Sequence, residues 1–491
     1  MKWQHFILVL VFNSLAFSAH AVDLLNQTVD KALQAQCLDQ SQTAVSIVSI
    51  PRGEQVYSYN PSTPLLPAST LKVVTTAASL NYLGPEFRFH TRIYHTGQRS
   101  GSTIKGDLVI KGGGDPKLSA ENLWRIAEQL KDSGVDLVTG NLIYDISFFD
   151  GLDKAPAWEE VRSQRAYDAK LCALSLNFNT ITVHALPTIP GQPLKVWLEP
   201  APRYIQIINE TRTTSRSKNT ISAKRGITEN GQTYIKIAGR LSNKSAEKII
   251  RLNVLNPSRY AVESFRNILA EIGIQVAGQT LRTVTPSSAK LLYTHSSEPL
   301  SLILKELNTF SNNFIAEQII KTMAAKQLGQ PGSHAEGLQL VANFLRESGV
   351  HTRGLILADG SGLSRRNRFT AQAMTDLLAE IYPRFDIGPD FLASLRVMGA
   401  NGVHSKRLAN SPAKAKIRAK TGTLRKVSTL TGYVPSQTGD LYAYAFFLNN
   451  NRCGYRGADK IEDKIVNAIY QHGGRSMYSA NRSLSPSRSM Q

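Results

Sequence analysis

Cysteine is scarce in this sequence: Cys37, Cys172 and Cys453 are the three among 491 residues. That excludes a disulfide-stapled scaffold, and with no Cys-x-x-Cys it excludes a cysteine zinc site or a thioredoxin-like redox site. The ten histidines include no His-Glu-x-x-His, so no metal and no cofactor are expected. No Gly-x-Ser-x-Gly elbow occurs, which argues against a Ser-His-Asp hydrolase. Gly112-Gly113-Gly114-Asp115 has no Gly-Lys-Ser/Thr after it, so it marks a tight turn and not a Walker phosphate loop. Acid is scarce as well, with 37 Asp and Glu against 57 Lys and Arg, a net charge of +20. Such an excess suits an anionic partner: cell wall, membrane face or nucleic acid. Lys218, Lys224, Arg225, Lys248 and Arg251 are spread along the chain without a zinc-finger or RRM-type motif, so nucleic acid is set aside. Past the N-terminus no stretch is long and apolar enough to span a membrane.

What is present begins with an export signal. Lys2 gives a positive start, Phe6 to Phe17 is apolar but for Asn13 and Ser14, and Ala19-His20-Ala21 is a small-x-small cleavage site. The mature chain is expected to begin at Val22. The apolar run is shorter than the roughly 20 residues a membrane span needs, which disfavours an uncleaved anchor. No Cys follows the cleavage site, so lipid attachment there is not expected. In an oxidising compartment the cysteines allow one disulfide and leave one thiol, with the pair left open. The composition, 42% hydrophobic and 19% charged, can bury a core. At roughly 100–200 residues per domain, two to four domains are expected.

Residues 23–40 carry helical spacing. Residues 44–50 and 55–59 read as a hairpin around Pro51-Arg52-Gly53, and helical spacing returns from Thr70 to Leu83. Residues 85–290 differ in character, with short β-rich runs such as 107–110 and 234–237, a polar basic stretch at 210–232 that reads as loop, and a helix over 258–273. Helical spacing resumes at 299–308, 313–326 and 335–348. After Asp359-Gly360-Ser361-Gly362 come a helix at 370–382, a strand-like run at 442–448 and a last helix at about 459–471. The tail, 475–491, has six Ser, three Arg and no acid, and reads as disordered. One αβ domain split by a β-rich insertion fits this order.

Three short motifs carry chemistry. Ser69-Thr70-Leu71-Lys72 opens a helix after Pro67, with Ser69 and Lys72 on one face. A lysine so placed activates the serine as a nucleophile if its amine is neutral. Ser-x-x-Lys recurs at Ser102, Ser215, Ser245, Ser287 and Ser411, so on the motif alone an N-capping Ser beside a solvated Lys is the better reading. Lys420-Thr421-Gly422-Thr423 is the chain's one Lys-Thr/Ser-Gly. There the missing Gly422 side chain admits a substrate backbone, Thr421 and Thr423 offer hydroxyls to a carboxylate, and Lys420 adds a cation; an ordinary strand end with a turn Gly is the structural alternative. Ser311-Asn312-Asn313 lies between two helical segments, where Ser311 can relay a proton and Asn313 can hold a substrate amide; an N-cap is the structural alternative. Ser-x-Asn also occurs at Ser58, Ser79, Ser175, Ser217 and Ser479. Order selects Ser311, which lies in the resumed helical part, 109 residues before Lys420.

Taken in order, the three motifs resemble the penicillin-recognising serine DD-peptidases and β-lactamases. Ser69 and Ser311 are 242 residues apart, beyond what a single-domain member needs. That insertion, with Gly112 to Pro116, Asp359-Gly360-Ser361-Gly362-Leu363-Ser364 and Ala419 to Leu424, resembles the D-alanyl-D-alanine carboxypeptidase/endopeptidase family, the class C low-molecular-mass penicillin-binding proteins. The resemblance implies an α+β fold: a serine β-lactamase/DD-transpeptidase-like domain (22–84 and 291–474) interrupted by domain II (85–185 and 245–290), itself interrupted by domain III (186–244). It implies Ser69 as acylated nucleophile, Lys72 as base, Ser311 as proton shuttle beside Lys420, and an oxyanion hole from the N–H groups of Ser69 and Thr423. It places Asp145 where an insertion residue reaches the cleft for the free amine of a diamino acid, and Arg365 near that residue's carboxylate. Gly402-Val403-His404 departs from the Gly-Thr-Leu usual there. The implied partners are peptidoglycan peptides and β-lactam antibiotics, without cofactor, in a Gram-negative periplasm. The charge allows loose peripheral association with anionic membrane or wall. The alternatives are a β-lactamase, for which no carboxylate motif stands out, and a non-catalytic basic wall-binding protein.

Overall fold

The computed structural model describes residues 24–50, 53–158, 163–216, 219–329, 331–400 and 407–472. The expected signal segment, Pro51-Arg52, Gly402-Val403-His404 and the basic tail lie outside the described residues.

A six-stranded antiparallel sheet is the frame of the part that flanks the insertion. Its order is Arg396–Val397, Arg418–Leu424, Val427–Pro435, Leu441–Leu448, Thr43–Ile50, Gln55–Tyr59. The first long strand of the chain pairs along its whole length with the last, Thr43 against Leu448 to Ile50 against Leu441. The two halves that enclose the insertion therefore close one sheet. Period-two alternation sends the side chains to two cores. Val45, Ile47, Tyr444 and Phe446 pack with Leu25, Val29, Ile465 and Ile469 of the helices at 24–33 and Gly454–His472. Ala44, Ala443, Ala445 and Phe447 share the other core with the helices Leu71–Leu83, Leu300–Phe310, Asn313–Gln327 and Ala371–Ile381. All of Thr43–Ile50 is buried in consequence. Ser46 is tolerated there because its Oγ lies 2.8 Å from Thr375 Oγ1, so its own hydroxyl is paired.

The expected helices are present, the first only over 24–33 of the expected 23–40, His334–Glu347 at the expected 335–348, and the last starting earlier, at Gly454. A short helix, Gly388–Ser394, was not anticipated. A disulfide joins Cys37 to Cys453 and ties the N-terminal segment to the start of the last helix, while Cys172 is a buried free thiol.

Among the described residues the insertion forms four sheets with a core of their own, one of them completed by Lys290–Ser296. A mixed five-stranded sheet places Leu142–Asp145 and Leu108–Lys111 side by side and parallel. In a three-stranded sheet Thr180–Leu186 runs between Lys195–Glu199 and Lys248–Asn253. The polar stretch read as loop at 210–232 is corrected: Ile205–Thr214 and Ser222–Ile227 are strands on either side of Thr233–Ser242. Threonine explains the difference. Thr211 and Thr213 are buried and bonded to the Leu194 and Thr188 amides, so a polar sequence still has an inner face. The helix Ala120–Asp132 was also missed, although Ser119 and Asn122 form a capping box before buried Leu123, Ile126, Ala127 and Leu130.

The insertion grips the helix Asn313–Gln327 along one side. Lys321, almost fully buried, pairs with Asp150 and donates to Leu152 O at 2.8 Å, and Gln318 Nε2 donates to Cys172 O at 2.9 Å. Trp158 Nε1 reaches Asp359 Oδ2 at 2.9 Å.

Candidate active site

Pro67 keeps the chain out of helix until Ala68–Thr70, a 3-10 turn that leads into the Leu71–Leu83 helix. Ala68 sits in the left-handed region at φ +46°, a conformation costly for a side-chain-bearing residue. The turn is fixed from outside. Thr429 Oγ1 donates to Pro67 O at 2.8 Å, and a Cβ on Gly362 would lie 1.8 Å from Ala68 O, so the Asp359 loop can pack there only with glycine at that position. Ser69 is half-buried between buried Ala68 and Thr70.

Lys72, three residues on, has no exposed surface. Its Nζ donates to Ser69 Oγ at 3.1 Å, to Asn313 Oδ1 at 2.8 Å and to Ser361 O at 2.5 Å. Burial pulls its pKa from 10.5 down to about 8, against the attraction of Asp359 and Glu317. Both carboxylates are buried and hydrogen-bonded to backbone amides. Asp359 accepts from the Gly362 and Ser364 amides, each at 2.7 Å, and from Asn367 Nδ2 at 2.8 Å. Burial, with Glu317 nearby, raises the pKa of Asp359.

Ser311 closes the Leu300–Phe310 helix in the left-handed region at φ +57°. Asn312, not Ser311, caps the next helix through the Ile315 amide. That frees Ser311 Oγ to accept from Lys420 Nζ at 2.8 Å and Asn313 to reach Lys72. The Asn313 Nδ2 faces Tyr167 O of the insertion at 3.4 Å. Lys420 is buried, and its pKa is driven well below the usual lysine range by that burial and then by the like charges of Lys72 and Arg396.

Along Arg418–Leu424, Lys420 and Gly422 are buried, while Thr421 is half-buried and Thr423 exposed on the opposite, more open face. The reason for Gly422 differs from the one expected. A Cβ there would lie 2.2 Å from Thr429 Oγ1 and 2.9 Å from Ser69 N, so the space is filled by the nucleophile's own backbone and not by substrate.

Ser69, Lys72, Ser311, Asn313, Lys420 and Gly422 are thus brought together. Arg365 is exposed nearby, its guanidinium 3.4 Å from Arg425 O just past the strand. Asp145 is not brought in. It is buried in the insertion, where Oδ2 accepts from the Thr285 amide and hydroxyl at 2.9 and 2.6 Å and Oδ1 from Ser147 N at 2.9 Å. No carboxylate edge is left open there for a substrate amine. Two groups at the base were not anticipated, Glu317 and the Ser361 carbonyl. The one signal for Glu317 was an acid four residues after Asn313, on the same face of the helix.

The model of the D-Ala-D-Ala carboxypeptidase 3 (S13) family matches residues 25–471. The chain belongs to that family. It is a serine-type D-Ala-D-Ala carboxypeptidase, a hydrolase. Among S13 relatives, a D-alanyl-D-alanine carboxypeptidase from Actinomadura sp. (strain R39) is 32% identical over 465 residues, covering 92% of this chain and 85% of the relative. The crystal structure of penicillin binding protein 4 (dacB) from Haemophilus influenzae matches with a TM-score of 0.78 and 26% identity over 90% of this chain and 99% of its own. The same protein complexed with a β-lactam matches with a TM-score of 0.74 and 25% identity over 90% and 99%.

Proposed function

We propose that this S13 enzyme is an exported carboxypeptidase and DD-endopeptidase that cleaves D-alanyl peptide bonds of peptidoglycan stem peptides through an acyl-enzyme, and that β-lactams acylate it at Ser69. The observation that carries this reading is the pairing of two serine hydroxyls with two buried lysines, Ser69 with Lys72 at 3.1 Å and Ser311 with Lys420 at 2.8 Å. Lys72 takes the Ser69 proton as Oγ attacks the carbonyl carbon between the two D-residues. The N–H groups of Ser69 and Thr423 hold the resulting oxyanion; in general one such donor is worth about 10²–10³ in kcat. Ser311, held by Lys420, relays to the departing amine the proton that Lys72 took from Ser69, which returns Lys72 to its neutral form. Thr421 and Thr423 take the terminal carboxylate, Asn313 a substrate amide, and Arg365 a carboxylate of the diamino acid. Water then attacks the ester and frees Ser69.

The same reading assigns 22–84 and 291–474 to the catalytic domain, 85–185 and 245–290 to domain II, and 186–244 to domain III. It assigns the enzyme to the periplasm, with loose contact to anionic membrane or wall. Among the described residues no helix is long and apolar enough to cross a membrane. The β-lactamase alternative needs a carboxylate able to activate water, and the two beside Lys72 are buried and occupied by backbone amides. Chromatography of sacculi digested by the enzyme tests the proposal. Release of D-alanine and loss of cross-linked dimers, both absent with Ser69→Ala, is expected; cleavage undiminished in that variant contradicts it.

A further inference from the structure

Beneath the nucleophile lies an acid that none of these roles uses. Glu317 stands one turn after Asn313 in the same helix and has no exposed surface. A carboxylate in such a place is tolerated only when its lone pairs are filled. Oε1 accepts from the amides of Gly360 at 3.1 Å and Ser361 at 2.8 Å, and Oε2 from Gly360 at 3.1 Å. The Ser361 residue held through its amide presents its carbonyl, in the next peptide unit, to Lys72 Nζ at 2.5 Å.

Of the three acceptors around the Lys72 amine, two therefore depend on this one helix: Asn313 directly, and the Ser361 carbonyl through Glu317. The turn has little room to settle elsewhere. A Cβ on Gly360 would lie 2.4 Å from Ile320 Cγ1, and Thr75 Oγ1 donates to Gly360 O at 2.6 Å. Behind the carboxylate stands His334, almost fully buried, with Nε2 3.4 Å from Glu317 Oε2 and no hydrogen-bond partner on either ring nitrogen. His334 closes the rear of the pocket and leaves the backbone amides as the donors to Glu317.

Resting on the reading of Ser69 and Lys72 above, we infer that Glu317 is a positioning residue: it fixes the Gly360–Ser361 turn so that the Ser361 carbonyl and Asn313 together hold the Lys72 amine against Ser69. It touches no substrate. Its charge also acts on Lys72, alongside Asp359 and against the effect of burial. Position and charge are therefore separable by two variants.

Acylation of the full chain by fluorescent penicillin, followed against pH together with thermal melting, tests the inference. Glu317→Gln removes the charge and sets an amide N–H against a backbone N–H. The pH limb is expected to move down by about one unit, and the plateau rate to fall about 100-fold, the scale of a misplaced catalytic group. Glu317→Asp keeps the charge but withdraws the carboxylate, so the limb stays and the plateau falls. Phe344→Leu, in the same core, controls for lost stability and leaves the limb unmoved. The inference is overturned if Glu317→Gln keeps the wild-type limb and loses no more rate than Phe344→Leu. If Glu317→Gln does not fold, a wild-type plateau in Glu317→Asp overturns it. Wild-type protein that takes no label overturns instead the Ser69 reading on which the inference rests.

Discussion

At Lys72 burial and charge act in opposite directions, and burial wins: its pKa falls from 10.5 to about 8, although Asp359 and Glu317 oppose the fall. The amine is the acceptor of the Ser69 proton only when neutral. Acylation by a β-lactam is therefore expected to rise with pH up to about 8 and level off above it. A limb near the ordinary lysine value, or none, contradicts the role. Stability follows the same shift. Between about 8 and 10.5 the folded chain holds fewer protons at Lys72 than the unfolded one, so this group's contribution rises with pH across that window; below it, the buried ammonium is a cost. The residues legible in the sequence were those whose order forms a pattern: Ser69 with Lys72, Ser311 with Asn313, and Lys420 with Gly422. Glu317 was not legible, because a lone acid on a helix gains meaning only from the Gly360 and Ser361 amides brought to it across the fold. Asp145 could not be judged either, since the Thr285 that occupies its carboxylate is 140 residues away.

Elements position these residues more tightly than their spacing indicates. The Arg418–Leu424 strand passes so close to the nucleophile turn that a Cβ on Gly422 would lie 2.9 Å from Ser69 N and 3.0 Å from Thr70 N. Gly422→Ala is expected to force the turn and strand apart. Overpacking of this kind costs about 1–3 kcal/mol, and acylation is expected to fall about 100-fold as Ser69 shifts. A variant that acylates at the wild-type rate in a stopped-flow assay contradicts this packing. The helices were readable from apolar spacing because each presents one face to a core, as Leu300, Ile303, Leu304 and Leu307 do. Thr211 and Thr213 hid a strand, because their burial depends on partners in neighbouring strands that composition does not reveal.

In the whole molecule an early and a late strand close one sheet around a large insertion that has sheets of its own. The closure is reinforced where Cys37 meets Cys453 across a sequence separation of 416 residues. Cys37→Ser is expected to lower stability by about 2–4 kcal/mol, the usual worth of such a link. Calorimetry of variant and wild type checks this, and superimposable melts contradict it. That a foreign β-rich block interrupts the chain was legible from the change of pattern after residue 84. Its grip on the active-site helix and on the Asp359 loop was not: Lys321 with Asp150, Trp158 with Asp359 and Tyr167 with Asn313 are each separated by more than a hundred residues. The central claim is that these distant segments assemble one nucleophile, and peptide mapping by mass spectrometry after exposure to benzylpenicillin tests it most directly. The account predicts a single penicilloyl adduct on Ser69, lost in Lys72→Ala. An adduct on another residue, or none on the folded enzyme, would contradict it.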